Sequence, residues 1–279
     1  MAKARTIQQK REDFYQLHQS GCFVIPNPWN IGTAICLQQM GFPAIASTSS
    51  GFAYANGMPD GTQSLDAILP HLQELANAVD IPLNADFENG YAQDIAQMQD
   101  NIRRCVATGV SGLSIEDVPQ GESAGLYDFA QAVKRVEAAR DAIDQTGERV
   151  LLTARTEGFI RGAPDIAETT RRIEAFVDAG ADCLYAPGIK TPEQIRAVVR
   201  AAKGKAVNVL CGADLDLTVS DLANLGVRRI SVGGALARVA MDSFLKVAQQ
   251  IAKQGTFQGF TGIVSGSDLD KRFESSLLS

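Results

Sequence analysis

The segment PLNADFENGY, residues 82–91, spaces Asn84, Asp86 and Glu88 two residues apart. On an extended chain this spacing puts all three on one face, leaving Leu83, Ala85 and Phe87 on the other. A second acidic pair, Glu116 and Asp117, ends the apolar run GLSIED. Carboxylates that converge in a pocket repel one another and retain protons unless positive charge joins them. Two sources of that charge are open. Mg²⁺ (or Mn²⁺) takes oxygen ligands and keeps several waters, which suits Asp86, Glu88 and Glu116. Alternatively, Arg155 and Arg161 pair with the acids and make them an ordinary charged rim.

Other candidates lie beside these. Arg155 shares parity with Thr153 and Glu157 in VLLTARTE, and a guanidinium aimed into a pocket suits a carboxylate or phosphonate. In STSSG, residues 47–51, the groups of Ser49, Ser50 and Gly51 could form an anion nest, or only a turn. Asp60, in a PDG turn, is within reach of a metal's water shell. Tyr185, Asn208, Cys211 and Ser231 end later apolar runs, and Cys211 reads first as a small core residue. Histidine chemistry is not expected, because His18 and His71 both fall in helical patterns away from these positions.

These residues need a scaffold that gathers them. Eight short apolar runs (CFVIPNP, AIASTSS, IPLNADFE, GLSIEDV, VLLTARTE, DCLYAPG, AVNVLCG and RRISVGG) alternate with amphipathic segments. Ile95, Met98, Ile102 and Val106 recur at helical spacing, and TPEQ at 191–194 is a capping-box start. Gly41, Gly109, Gly180 and Gly226 stop helices before the second, fourth, sixth and eighth runs. Alternation of this kind predicts a parallel (β/α)₈ TIM barrel, with its site at the C-terminal strand ends. The barrel with its N-terminal helix is expected over residues 1–254. Residues 255–279 form a C-terminal extension with a short amphipathic helix, packed on a neighbouring subunit or left as a tail. Long loops at 51–61, 118–128 and 157–164 are placed to close over a ligand.

The 279 residues are 45% hydrophobic with net charge −6, which argues against a nucleic-acid surface. No apolar run is long enough to span a membrane. Five cysteines without a CxxC pair, and no signal-peptide core, read as a cytoplasmic protein with reduced thiols.

Taken together, STSSGFAYANGMPDG, PLNADFENGY, GVSGLSIED, TARTEGFIRG and AGADCLYAPG resemble the isocitrate lyase/phosphoenolpyruvate mutase superfamily from Cys22 to about Gln254. The resemblance implies a barrel whose last helix is swapped between subunits, giving homodimers or homotetramers. It implies a Mg²⁺ shell of Asp60, Asp86, Glu88 and Glu116, with Asp86 the direct ligand. Substrate binding would fall to Ser49, Ser50, Gly51, Arg155 and Asn208, and catalysis to Arg155, Tyr185 and Glu116. The implied activity is a Mg²⁺-dependent carbon–carbon lyase or decarboxylase acting on a small 2-oxo- or 2-hydroxy-dicarboxylate through a pyruvate-enolate-like species. The alternatives are a phosphonopyruvate-type C–P enzyme or a non-catalytic metal- and ligand-binding member. One departure stands out. Lyases of this superfamily carry a KKCGH lid after the fourth strand, where this chain reads EDVPQGESAGLY.

Overall fold

The computed structural model describes residues 4–119 and 125–277. The eight apolar runs form β1 (Phe23–Ile25), β2 (Ile45–Ala46), β3 (Leu83–Asp86), β4 (Gly112–Glu116), β5 (Leu151–Arg155), β6 (Cys183–Tyr185), β7 (Ala206–Leu210) and β8 (Arg229–Ser231). All neighbouring pairs are parallel, running from β2 through β8 and back to β1. The β1–β2 seam is drawn together by Ala46 N–H donating to Pro26 O (3.0 Å) and Asn27 Nδ2 donating to Ser47 O (2.9 Å). The result is a (β/α)₈ TIM barrel.

Helices α1 (Ile7–Leu17), α2 (Ile31–Gln39), α3 (Ser49–Ala55), α4 (Leu65–Ala78), α5 (Ile95–Ala107) and α6 (Phe129–Asp144) come first. They are followed by α7 (Ile166–Asp178), α8 (Pro192–Ala201), α9 (Val219–Asn224), α10 (Ala235–Gln254) and α11 (Gly266–Leu277). Most of the apolar core lies between the strands and the surrounding helices, where Leu72, Met98, Ile102, Phe176 and Val198 are buried. Gly41, Gly109, Gly180 and Gly226 have φ between +85° and +93°, the left-handed geometry that stops each helix and turns the chain into the next strand.

A smaller core closes the bottom of the barrel. Phe14 from α1 meets Phe23, Ile25, Leu151, Cys183 and Ala206 there. Arg11 fixes α1 in place by donating to Val110 O (3.0 Å) and Val106 O (2.8 Å) and pairing with Glu148.

Three details differ from the sequence expectation. Residues 49–55 are helical rather than part of an open loop, because Thr48 caps them by accepting from Gly51 N–H (3.2 Å). The third strand ends at Asp86, and Glu88 sits in a turn with φ +45° instead of continuing the strand face. The C-terminal α11 returns to its own chain's α2, where Gln39 Nε2 donates to Arg272 O (2.7 Å). Part of the expected lid, residues 120–124, lies outside the described residues.

Candidate active site

The register of the sheet brings the candidate residues to one end. Glu116 stands beside Arg155, Arg155 beside Tyr185, and Tyr185 beside Asn208 on successive strands. Asp86 ends β3 on the same rim. Its Oδ2 accepts from Ser49 N–H (3.0 Å), and its own N–H donates to Ser47 Oγ (2.9 Å). Ser49 Oγ donates in turn to Asp60 Oδ1 (3.2 Å), which ties the 56–64 loop to the cluster. The Ser49 and Gly51 N–H groups thus serve Asp86 and Thr48. Gly51 is required by packing, since a Cβ there would lie 2.6 Å from Thr48 Cγ2. Ser50 Oγ faces Gly234, where a Cβ would come within 2.4 Å of it.

Arg155 occupies the centre of the mouth. Its Nη1 is 3.4 Å from Asp86 Oδ1 and its Nε is 3.5 Å from Glu116 Oε2, with a closer pairing to Glu157. The guanidinium also lies over the Tyr185 ring, 5.1 Å from its centroid. Glu157, which shares parity with Arg155, therefore lies in the site with it. Its carboxylate is 2% exposed, with Arg161 4.0 Å away on the rim. Both neutralisers considered for the acids are thus compatible with the structure, since Arg155 contacts three carboxylates and others lie beyond its reach.

Glu157 is itself held from below. Asp117 Oδ1 accepts from Glu157 N–H (2.9 Å), and its Oδ2 accepts from Thr156 Oγ1 (2.7 Å) and Arg172 Nη1 (3.0 Å). Arg172 also donates to Tyr127 O (2.9 Å), so one buried ion pair fastens both β5 and the far end of the lid segment. Beneath the mouth, a cavity of about 50 Å³ is lined by Asn84, Ser114, Asn208, Arg229 and Ser231. Cys211 lies just past β7, and burial raises its thiol pKa.

The electrostatics favour a cation. Burial, followed by the charges of Asp86 and Asp60, pushes Glu88 up to about 7. Burial raises Glu116 well above the usual carboxylate range despite Arg155, and partial withdrawal from water together with Asp86 raises Asp60. Glu88 Oε1 is buried without a hydrogen-bond partner in the protein. Among the described residues no three His, Cys, Asp or Glu side chains converge tightly enough to enclose a metal alone. This donor set fits an ion bound by Asp86 and reached by Asp60, Glu88 and Glu116 largely through water, the habit of Mg²⁺.

A pH dependence follows. An acid whose folded pKa exceeds its unfolded value stabilises the fold below the unfolded pKa, and that stability is lost as pH rises through the folded one. For Glu88 the window runs from 4.5 to about 7. Metal-free protein should melt several degrees lower above this window than below it. Millimolar Mg²⁺ should restore the loss above the window and change little below it. Thermal melts with and without a chelator check this, and a Mg²⁺ effect equal at both ends would contradict it.

Comparison with known proteins places the chain. The phosphoenolpyruvate phosphomutase family matches residues 14–252. The chain belongs to this family. A provisionally assigned lyase/mutase from Burkholderia cenocepacia J2315 superposes with a TM-score of 0.93 at 41% identity, covering 96% of this chain and 97% of that one. The oxaloacetate decarboxylase of Paraburkholderia xenovorans (strain LB400) is 29% identical over 265 residues, 89% of this chain and 83% of that protein. A phosphonopyruvate hydrolase solved with oxalate and Mg²⁺ shares the fold, with a TM-score of 0.84 at 24% identity and 96% of each chain covered. Among the described residues, no helix of this family member is long and apolar enough to cross a membrane.

Proposed function

We propose that this family member is a Mg²⁺-dependent carbon–carbon lyase or decarboxylase acting on a small 2-oxo- or 2-hydroxy-dicarboxylate through a pyruvate-enolate-like species. The observation that carries the reading is the set of raised acids, Asp60, Glu88 and Glu116, gathered around Asp86 and Arg155 at the strand ends. Buried carboxylates that repel one another are costly to keep, and a bound cation turns that cost into affinity. The kinship with an oxaloacetate decarboxylase supports the substrate class.

When bound, Mg²⁺ supplies positive charge beside the oxygen on which negative charge develops as the carbon–carbon bond breaks. Asp86 would hold it, with Asp60, Glu88 and Glu116 orienting its water shell. Arg155 supplies a second, fixed positive charge at the centre of the mouth beside Asp86, and Ser49 and Ser50 would bring hydroxyls to the substrate's carboxylate end. Tyr185 is pushed up to about 12 by burial, ahead of the opposing effect of Arg155, so it keeps its proton at neutral pH. With no KKCGH lid, its Oη is the group placed to donate a proton or hydrogen bond to the departing carbanion. Glu116, raised by burial, stands two strands away on β4, with Arg155 of β5 between it and Tyr185.

The test is pyruvate release by purified protein with Mg²⁺, offered oxaloacetate, 2-methylisocitrate, 2,3-dimethylmalate or phosphonopyruvate. Turnover of one of the first three that stops on chelation supports the reading. Turnover of phosphonopyruvate alone would replace it with C–P chemistry, and no turnover of any would overturn it.

A second copy of the chain is the partner we propose. Helix α10 buries only Ala237 and packs mainly on α3 and the turn at 258–260. Val239 and Phe244 are about two-thirds exposed, with Leu236, Met241 and Leu245 beside them. An apolar row of this length at the mouth's edge is suited to the same row on a two-fold-related copy. Phe244→Asp should convert an oligomer to monomer in light scattering, and an unchanged mass would contradict the assignment.

A further inference from the structure

Arg229 lies at the floor of the barrel, 3% exposed, and its partners are neutral. Its Nε donates to Asn208 Oδ1 (2.9 Å), its Nη2 donates to Thr153 Oγ1 (3.0 Å), and its Nη1 is 3.3 Å from His18 Nε2. His18 is neutral, because burial and then Arg229 hold it down at about 3. A buried guanidinium without a carboxylate is costly, and the enzyme mechanism above gives it no task.

Its effect is on direction. A guanidinium only donates, so the Asn208 amide must turn its oxygen toward Arg229. The amide nitrogen then faces β8, where Nδ2 donates to Ser231 Oγ (2.9 Å). An amide NH₂ cannot accept, so the Ser231 proton cannot point back at Asn208. Ser231 lines the cavity shared by Asp86, Arg155 and Tyr185, and there the Tyr185 phenol oxygen is within its hydrogen-bond reach, so a ligand oxygen takes the Ser231 proton in competition with Tyr185.

We infer that Arg229, acting through Asn208, fixes Ser231 as a hydrogen-bond donor facing the cavity, where it recognises an oxygen of a small dicarboxylate or its enolate. Arg229 and Asn208 are positioning residues, and Ser231 is the contact that sets specificity for an acceptor oxygen over a hydroxyl hydrogen. The inference rests on the functional reading above.

The variant that tests it is Asn208→Asp. The substitution keeps size, places a carboxylate beside Arg229, and offers Ser231 an acceptor in place of a donor. Ser231 would then turn its proton away from the cavity. Calorimetric titration with oxalate in the presence of Mg²⁺ provides the readout. Ser231→Ala should weaken oxalate roughly 10- to 100-fold, the loss of one hydrogen bond to a charged group. Asn208→Asp should weaken it comparably while melting no lower than wild type. In the Ser231→Ala background, Asn208→Asp should add no further loss, because both changes remove the same donor.

Unchanged affinity in Ser231→Ala would overturn the inference while leaving the functional reading intact. A further loss in the double variant would overturn the positioning role, since Asn208→Asp would then be acting through its charge. Wild-type protein that binds no oxalate with Mg²⁺ would overturn the functional reading and this inference with it.

Discussion

Asp86→Ala is expected to lower turnover by at least roughly a thousandfold, with the barrel still folded. Asp86 is the acid that the others face. Its charge raises Asp60 and Glu88, it pairs with Arg155, and it fixes Ser49 through a backbone hydrogen bond. Removing it takes away the direct ligand proposed for Mg²⁺ and one source of repulsion. The expected stability change therefore runs opposite to that of most truncations. Without metal, above about pH 7, the variant should melt no lower than wild type, because Glu88 and Asp60 ionise with one fewer like charge nearby. With Mg²⁺ the order should reverse, since only the wild type gains from the ion. Melts and steady-state rates on the same preparations check both halves. Retained Mg²⁺-dependent turnover would remove Asp86 from the site.

Arg155→Met is expected to cost about 3–5 kcal/mol of stability, the usual penalty for deleting one partner of a buried ion pair. The side chain is close in length, so the charge is the main loss. Glu157, 2% exposed, would keep only Arg161 at 4.0 Å, while Asp86 and Glu116 would lose the cation between them. Burial already raises Glu116 against the pull of Arg155, and without the guanidinium its carboxyl would hold its proton to still higher pH, so the destabilisation should be largest at high pH and shrink as pH falls. Turnover should also fall by two to three orders of magnitude, roughly the loss of one preorganised charge at the developing anion. Urea unfolding at two pH values measures the first effect. A pH-independent penalty would show that Arg155 acts through packing instead.

The sequence showed the barrel because its signals are local. Strand-length apolar runs, helical spacing and the four stop glycines each depend on a few neighbouring residues. Asp86, Glu116 and Arg155 were legible for the same reason, since each is the last inward-facing residue of its strand. Glu88 feels the charges of Asp86 and Asp60, but strand parity is not what brings it near them. Strand parity ends at Asp86, and a left-handed turn at φ +45° brings Glu88 round. The helix from Ser49 was hidden by the glycine and paired serines that read as a turn, although Thr48 is a good capping residue. Asp117–Arg172 and Arg229–Asn208 were out of reach because each joins residues far apart in sequence through contacts only the closed barrel creates. Glu157 was named through its parity with Arg155, but its ion pair with Arg155 and its anchoring by Asp117 appear only in the fold.

The central claim is that the acids around Asp86 and the cation at Arg155 hold Mg²⁺ and an enolate-like dianion together. Its most direct test is the Mg²⁺ affinity of the wild-type protein measured with and without oxalate, a planar dianion shaped like the enolate of pyruvate. Each ligand should tighten the other by the same factor, as linkage requires for two ligands sharing one site. Oxalate that binds equally well with and without Mg²⁺, or Mg²⁺ that does not bind at all, would contradict it.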